Sequence, residues 1–250
     1  MSKPITKARH RIHEIYSQEK LEGLWKIIRN PTLTNNDMRI DAVLDHLKDL
    51  DVTFIAGGTN RMTILIEDYI HKIALDSRGI RDNWNEFNTS IDAQPYVTKT
   101  YESNGLIDVA EYVNLISREE FIDSQEHIRA MLEYLAEDWL FCDISLKPKN
   151  FVNFGHRDNG DLVILDYGYL YPIDRKIMHC TQCGGQLRWD SQFFRLVCTK
   201  CREKHDPIDI RDRMWKDEGD FEKELKQKKE REKRGLVVLN LGPKWNAKTK

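Results

Sequence analysis

The sequence predicts an α+β protein that carries a small metal-binding module. Three observations support this fold class. Apolar residues recur at helical spacing in residues 1–50, short β-branched and apolar runs separated by turn residues follow in 51–114, and two C-x-x-C pairs lie within residues 178–206. We therefore expect an N-terminal helical extension, a sheet-containing body and a compact zinc ribbon.

The composition is typical of a globular protein. Hydrophobic residues make up 40% and charged residues 32% of the 250 residues, which is enough apolar surface for one large or two modest domains. The formal net charge of -2 argues against a nucleic-acid-binding surface over the whole chain. Because no apolar run approaches the roughly 20 residues of a membrane-spanning helix, and the N-terminus lacks the apolar core of a signal peptide, we expect a cytoplasmic protein without a membrane partner.

The helical extension is predicted to contain a break at Pro31. Before it, apolar residues from Ile12 to Ile28 follow helical spacing, and after it Asn36 or Asp37 is expected to cap a further helix.

Residues 52–165 are predicted to form strands interrupted by two helices. A Gly-Gly-Thr-Asn turn at 57–60 and β-branched runs predict three antiparallel strands, followed by a helix and two more strands. A long amphipathic helix then leads to an apolar run and a hairpin with an Asn-Gly turn. In chain order the predicted elements are strands 52–55, 63–66 and 69–75, helix 79–92, strands 96–101 and 106–113, helix 117–139, and strands 140–144, 151–154 and 162–165.

The cysteines form the most specific local pattern. Cys180 and Cys183 make one C-x-x-C pair, and Cys198 and Cys201 make a second. The 14 residues between the pairs are just short of the usual four-cysteine zinc spacing. Four thiolates give a closed tetrahedral zinc site with a structural role, and a reducing compartment favours zinc over disulfides. Gly-Gly after the first pair allows a tight turn. The fifth cysteine, Cys142, lies in an apolar run and is expected to be a small buried residue.

Other residues of the ribbon and the tail suggest partners. His179 and His205 flank the ribbon as alternative ligands, although four cysteines already complete a zinc shell. The ribbon's aromatic and arginine side chains either cover its small core or face a nucleic acid or protein. Residues 216–234 are rich in Lys and Glu and predict a solvated helix, whose basic stretches leave room for a nucleic-acid or acidic partner.

The order of these features resembles the protein-kinase-like fold. A glycine turn between two strands, a lysine in the third strand, a glutamate in the next helix, a long helix, a Leu-Lys-Pro-Lys-Asn loop and a Leu-Asp-Tyr-Gly strand end follow one another over about residues 50–175. The resemblance implies a bilobal fold with an N-lobe at 51–114 and a reduced C-lobe at 115–177. After the ribbon at 178–206, the charged tail 207–250 is too short for the helical half of a full protein kinase. Compact atypical kinase-like proteins of the phage and bacterial type are more similar.

The resemblance implies roles for residues in the N-lobe. Lys72 matches the lysine that contacts the α- and β-phosphates of ATP, and Glu86 matches its partner on the following helix. Gly57 and Gly58 match the turn that covers the phosphates, although the full G-x-G-x-x-G pattern is absent. An ordinary hairpin turn is the alternative for the two glycines, and an outward-facing strand lysine is the alternative for Lys72.

The resemblance also implies a magnesium site and a base. Asp166, in Leu-Asp-Tyr-Gly, matches the Asp-Phe-Gly aspartate that binds magnesium, and Asn150 matches the second metal ligand. The kinase base lies five residues before that asparagine, where this chain has Ser145, which cannot take up a proton at neutral pH. Either the loop is extended and Asp143 is the base, or the chain is a pseudokinase that keeps a nucleotide pocket.

Three functions follow from these observations. The first is a kinase-like protein that binds ATP and magnesium, transfers phosphate to a protein or small-molecule acceptor, and uses a structural zinc ribbon for docking. The second is a catalytically inactive pseudokinase scaffold that binds a protein or nucleic-acid partner through the ribbon and tail. The third is a zinc-ribbon nucleic-acid binder whose kinase resemblance is accidental.

Overall fold

A computed structural model describes residues 11–142, 144, 146–173, 175, 178–190 and 195–214. It has mixed α+β structure, as predicted, and divides into two compact units. Unit 1 comprises Met1–Met131 and Asp143–Leu170, and unit 2 comprises Leu132–Cys142 and Tyr171–Lys250. The predicted tail helix at 216–234 lies outside the described residues, as do Asp143 and Ser145.

The described residues form seven α-helices and thirteen β-strands. The α-helices are α1 Arg11–Ile15, α2 Gln18–Ile28, α3 Asn36–His46, α4 Ser77–Asp92, α5 Arg118–Asp123, α6 Gln125–Leu135 and α7 Pro207–Met214. The strands are β1 Val52–Gly57, β2 Arg61–Ile66, β3 Tyr69–Ala74, β4 Thr100–Ser103, β5 Ile107–Glu111, β6 Asn114–Leu115, β7 Trp139–Phe141, β8 Phe154–His156, β9 Leu162–Ile164, β10 Leu170–Pro172, β11 Leu187–Asp190, β12 Arg195–Cys198 and β13 Lys204–His205. No helix in the described ranges has the length and apolarity needed to cross a membrane.

A five-stranded antiparallel sheet forms the centre of unit 1. Its strand order is β1-β2-β3-β5-β4. Side chains of β2 alternate between buried and half-buried positions, which is the period-2 pattern of a strand with one face on the core. β3 is more deeply buried, because it lies between β2 and β5 and its residues 71–74 are all covered. This burial places Lys72 within the core rather than on the surface.

Helix α4 connects β3 to β4 along the chain and buries a polar face. Asp76 caps its first turn by accepting a hydrogen bond from the Gly79 N–H. The Asn83 amide then donates to the backbone oxygens of Lys72 and Gly105, at 3.1 and 2.9 Å. These bonds fix the helix against β3, so that the next turn presents Glu86 toward the same strand.

Helices α1 to α3 lie in the N-terminal region, and the predicted break at Pro31 falls between α2 and α3. Ser17 caps α2, and Asn35 caps α3 by accepting from the Met38 N–H, one residue earlier than the predicted cap. The Tyr16 hydroxyl lies 3.0 Å from Nδ1 of buried His71 on β3. The extension is therefore joined to the core of the sheet.

The predicted strand 96–101 is wrong in its first half. β4 begins only at Thr100, because the preceding residues pair elsewhere. The Thr98 N–H donates to the Ile164 oxygen at 2.9 Å, and Val97 forms an isolated parallel bridge with Ile164.

The single helix predicted over 117–139 is also wrong. A capping box of Ser117 and Glu120 begins α5, and Ser124 ends it before α6 starts. The predicted apolar face from Ile128 to Leu135 is nevertheless buried. Trp139 already belongs to β7.

The predicted strand 151–154 is largely a 3-10 helix, Pro148–Asn153. Pro148 at its first position has a fixed φ suited to a helix start, and the Asn150 N–H donates to the Lys147 oxygen at 2.8 Å. Only Phe154 joins β8, which pairs with β9 in the predicted hairpin.

Unit 2 contains the β7–β10 pair, the ribbon sheet β11-β12-β13 and α7. The rings of Phe141 and Trp189 lie 5.4 Å apart and pack the ribbon onto β7. Leu187 on β11 and Leu196 on β12 are buried. Cys142 is only half-buried, which corrects the expectation of full burial, and its thiol donates to the Pro207 oxygen.

Candidate functional site

Lys72 and Glu86, two residues of the predicted nucleotide site, form an ion pair. Lys72 Nζ lies 2.6 Å from Glu86 Oε2, with Lys72 8% and Glu86 0% exposed. β3 supplies the lysine and α4 the glutamate. A buried lysine is costly unless it is paired, so the outward-facing alternative for Lys72 does not apply.

The segment that contains Asp166 is fastened to this pair. Lys72 Nζ donates to the Leu165 oxygen at 2.7 Å, and the Tyr167 N–H donates to Glu86 Oε1 at 3.1 Å. The Tyr167 ring is buried, and its hydroxyl lies 3.0 Å from Thr100 Oγ1. Asp166 therefore stands between two residues held by Lys72 and Glu86, and its own side chain is 51% exposed.

Arg61 completes the charge network, although no sequence pattern singles it out. Its Nη2 lies 2.9 Å from Glu86 Oε1 and 2.6 Å from Asp166 Oδ1, and its Nη1 donates to Asn83 Oδ1 at 3.3 Å. Burial lowers the pKa of Arg61, but Glu86 and Asp166 outweigh this and raise the pKa well above its ordinary value. The guanidinium is thus permanently charged.

Glu86 is the anion at the centre of the site. Burial alone would raise the pKa of Glu86, but the charges of Arg61 and Lys72 outweigh burial and lower the pKa to about 2. The carboxylate is therefore ionised at neutral pH. It accepts hydrogen bonds from two cations and one backbone N–H.

The pKa values of two other carboxyl groups near the site are shifted in the opposite direction, upward. Burial raises the pKa of Asp82 to about 6. Asp108, which lies directly opposite Lys72 on β5, is fully buried, and burial followed by repulsion from Glu86 raises its pKa well above the ordinary value. The raised pKa favours the protonated form of Asp108.

Gly57 and Gly58 form the end of a β-hairpin. Gly57 is the last residue of β1, and the Gly58 N–H donates to the Arg61 oxygen at 2.8 Å across the turn. The Asn36 amide donates to the Gly58 oxygen at 3.1 Å, which attaches the turn to α3. A Cβ on Gly57 would lie 2.6 Å from Cδ1 of Ile40, so this close packing of α3 is one reason for glycine here.

Asn150 lies in the 3-10 helix and is 9% exposed. The helix ends at Asn153, whose oxygen accepts from the Leu165 N–H at 2.9 Å. The element that carries Asn150 is thereby connected to the residue before Asp166. Asp143 and Ser145, the two candidates for the base position, lie outside the described residues.

The donor types at Asp166 and Asn150 fit magnesium. Mg²⁺ prefers oxygen ligands and is commonly held by one or two side chains together with water and substrate phosphates. A half-exposed carboxylate at Asp166 meets that requirement. One of its oxygens already accepts from Arg61.

Four cysteine side chains in unit 2 converge on one point, as predicted. The sulfur atoms of Cys180, Cys183, Cys198 and Cys201 all lie within 4.8 Å of one another, and two of the pairs are at 3.4 and 3.7 Å. Four sulfurs bound at 2.3 Å to one zinc ion would lie about 3.8 Å apart. The cluster therefore fits a structural zinc ion.

Backbone groups favour the thiolate form of Cys198, the form that zinc requires. The N–H groups of Cys201 and Lys200 each donate to the Cys198 sulfur at 3.4 Å and lower the pKa of that thiol to about 6. Gly184 adopts a left-handed φ of 68°. A Cβ on Gly185 would lie 2.7 Å from the Cys198 sulfur. The turn therefore requires glycine at 184, and the close approach of the Cys198 sulfur requires glycine at 185.

The two flanking histidines are placed differently. His205 Nε2 lies 3.3 Å from the Cys180 sulfur, where it can donate a hydrogen bond to a zinc-bound thiolate. His179 forms a backbone bridge with Gln186.

Comparisons with known proteins identify no family. No protein-family model and no curated protein matches the chain. A solved structure of Rv3197 from Mycobacterium tuberculosis, in complex with erythromycin, is similar over 64% of this chain and 58% of that chain, with 14% identity and a TM-score of 0.36. This chain spans less than two thirds of the length of that protein, and a likeness this distant carries no argument about function.

Proposed function

We propose that the chain is a kinase-like protein that binds ATP with magnesium and transfers phosphate to a protein or small-molecule acceptor. The observation that carries the proposal is the buried Lys72–Glu86 ion pair, whose lysine also donates to the residue immediately before Asp166. Phosphoryl transfer depends mainly on positioning and electrostatic stabilisation. A fixed buried cation beside a half-exposed carboxylate is suited to both.

Each residue of the site has a distinct role in this proposal. Lys72 holds the α- and β-phosphates, and Glu86 orients Lys72 by pairing with it. The carboxylate of Asp166 and the amide of Asn150 would hold Mg²⁺, which when bound neutralises charge on the phosphates. Asp143 would accept the acceptor's proton, because the serine at 145 cannot. Gly57 and Gly58 would cover the phosphates loosely.

Thermal unfolding with nucleotide tests the proposal. We expect ATP and Mg²⁺ at about 100 times the dissociation constant to raise the melting temperature by roughly 5 °C. The increase should disappear in Lys72→Met and Asp166→Asn. Lys72→Met leaves Glu86 paired with Arg61, so the variant is expected to fold. Lys48→Met removes an exposed lysine on the α3 side and serves as the matched control.

Phosphate transfer is tested separately. ATP turnover should survive Ser145→Ala and be lost in Asp143→Asn, because only the carboxylate acts as a base near pH 7. If neither ATP nor another nucleotide changes the melting temperature of the wild-type protein, the proposal is wrong.

A second candidate function is a nucleotide-binding scaffold without transferase activity. The ion pair between Arg61 and Asp166 favours it, because a guanidinium already neutralises the expected metal ligand. The ribbon supports a partner-binding role, since among its described residues the exposed charged side chains are mostly cationic. The exposed cations are Arg188, Arg195, Lys200, Arg202 and Lys204.

The scaffold is distinguished by two measurements. It predicts nucleotide-dependent stabilisation without turnover in the wild-type protein. It also predicts salt-sensitive binding of an acidic partner, tested with single-stranded RNA as the polyanion, which weakens when Arg188 and Arg195 are replaced by glutamine. Turnover abolished by Asp143→Asn would exclude it.

A further inference from the structure

We propose that Arg61 is a resident cation that competes with the divalent metal for Asp166, so that exchange of the guanidinium for the metal controls loading of the site. The inference rests on the proposed function for its biological meaning, but not for its test. Its basis is the geometry of one guanidinium, which lies 2.6 Å from Asp166 Oδ1 and 2.9 Å from Glu86 Oε1 through the same nitrogen.

The position of Arg61 is fixed by its surroundings. Its side chain is only 10% exposed, and its other terminal nitrogen donates to Asn83 Oδ1. Asn83 is itself held by the backbone oxygens of Lys72 and Gly105. The guanidinium is therefore a built component of the site rather than a surface side chain that happens to lie nearby.

Gly168 provides space for this arrangement. A Cβ at that position would lie 3.1 Å from Nη2 of Arg61 and 3.1 Å from Cβ of Asp82. A larger residue at the glycine of the Leu-Asp-Tyr-Gly segment would therefore press on the guanidinium by a few tenths of an ångström. This gives an independent structural reason to connect Arg61 with that segment.

The competition follows from the charges. Arg61 donates a charge-assisted hydrogen bond to Asp166 and neutralises it, and such bonds are among the stronger ones in proteins. A metal ion that binds Asp166 must displace that bond or share the carboxylate with a cation. When Arg61 withdraws, Glu86 keeps Lys72 as its partner at 2.6 Å. The exchange therefore leaves Glu86 with a cationic partner.

Direct metal binding tests the inference. Mn²⁺ is titrated into the zinc-loaded full chain and free Mn²⁺ is measured by electron paramagnetic resonance, with and without a non-hydrolysable ATP analogue. We expect Arg61→Met to bind Mn²⁺ about tenfold more tightly than wild type, the effect of removing one charge-assisted hydrogen bond from the ligand. The gain should be lost in the double variant Arg61→Met/Asp166→Asn.

The matched control is Arg157→Met. Arg157 is another poorly exposed arginine of unit 1 that pairs with a carboxylate, Glu111, at 2.8 Å, but it has no contact with Asp166 among its hydrogen bonds. Its replacement should leave Mn²⁺ affinity unchanged. If Arg61→Met does not fold, Arg61→Lys replaces it: the shorter single donor cannot bridge both carboxylates, and an intermediate gain in affinity is expected.

The outcomes separate the inference from the proposed function. Equal Mn²⁺ affinity in wild type and in the folded Arg61 variant, in both arms, overturns the inference even if nucleotide binds. A gain in the arm without nucleotide supports it even if the ATP analogue binds to no variant, and in that case the proposed function fails instead.

Discussion

Glu86 illustrates how one buried carboxylate organises the candidate site. It has no exposed surface, and two cations and the Tyr167 N–H satisfy its oxygens. Through these partners it connects β2, β3 and the Asp166 segment. The loss of this one charge leaves two cations poorly compensated in the core.

We expect Glu86→Gln to lower the free energy of unfolding by about 3 kcal/mol, because breaking a buried ion pair leaves uncompensated charge. Urea denaturation at pH 7 measures the change. Asp45→Asn, which breaks the exposed Asp45–Lys48 pair, is the control and should cost under about 1 kcal/mol. Since the pKa of Glu86 is lowered to about 2, its contribution is present above about pH 4.5 and is lost as the pH falls toward 2. A difference between wild type and variant that stays constant from pH 6 to 2 would contradict this account.

Asp82 gives the opposite pH dependence. Burial raises the pKa of Asp82 to about 6, so its protonated form favours the folded state below about pH 4 and this stability is lost as the pH rises through 6. Relative to Asp82→Asn, the wild-type free energy of unfolding should fall by about 2 kcal/mol between pH 4 and pH 7. The variant keeps an acceptor for the Asn60 amide, which donates to Asp82 at 2.9 Å. If the free energies of unfolding of the two proteins changed with pH in parallel, the raised pKa of Asp82 would be refuted.

At the residue scale, the sequence predicted part of the site. Lys72 and Glu86 could be selected because each belongs to a strand or helix whose order in the chain resembles that of kinases, and the structure brings them together. Arg61 could not, because its partners are 25 and 105 residues away. An arginine after a turn carries no local sign of burial.

At the element scale, α4 is the part of the chain that aligns the site. Its buried face is polar and makes specific bonds to β3 and to the backbone of Gly168 and Leu170, through Asn83 and Asn85. A small shift of this helix would separate Glu86 from its cations. The first turn of the helix is packed so tightly that only glycine fits at position 79.

We expect Gly79→Ala to destabilise the protein, although alanine is favoured over glycine inside helices. A Cβ at Gly79 would lie 2.1 Å from the Asn60 oxygen, and such overpacking typically costs about 1–3 kcal/mol. Ile91→Ala at an exposed position of the same helix is the control and should have a much smaller effect. Thermal denaturation of both variants measures the difference, and a more stable Gly79→Ala protein would contradict the packing described here.

Elements with a strong local signal were predicted well, and those decided by distant partners were not. α4 and the strands β1 to β3 follow from periodicity and turn residues. The helix break at Ser124 and the late start of β4 depend on a cap and on pairing with Ile164. Neither has a signature in the hydrophobic pattern.

At the scale of the whole molecule, the chain combines a charge network in unit 1 with a cluster of four cysteines in unit 2. The cluster could be predicted from spacing alone, because two C-x-x-C pairs constrain four ligands. The charge network required tertiary information.

We expect the purified protein to contain one zinc ion per chain, measured by elemental analysis. Removal by a chelator should abolish the hydrogen-exchange protection of β11 to β13, because a ribbon of this size depends on its metal to fold. Cys183→Ser should lose the zinc, whereas Cys142→Ser, outside the cluster, should retain it. Full zinc content in Cys183→Ser would show that the four sulfurs do not form the site.

The central claim is that Lys72, Glu86 and Asp166 form a nucleotide site of the kinase type. A crystal structure with a non-hydrolysable ATP analogue and Mn²⁺ tests it most directly, with the metal located by its anomalous signal. The account predicts Lys72 Nζ within hydrogen-bonding distance of the α- or β-phosphate and Mn²⁺ bound to Asp166. A nucleotide bound away from Lys72, or no nucleotide at millimolar concentration, would contradict it.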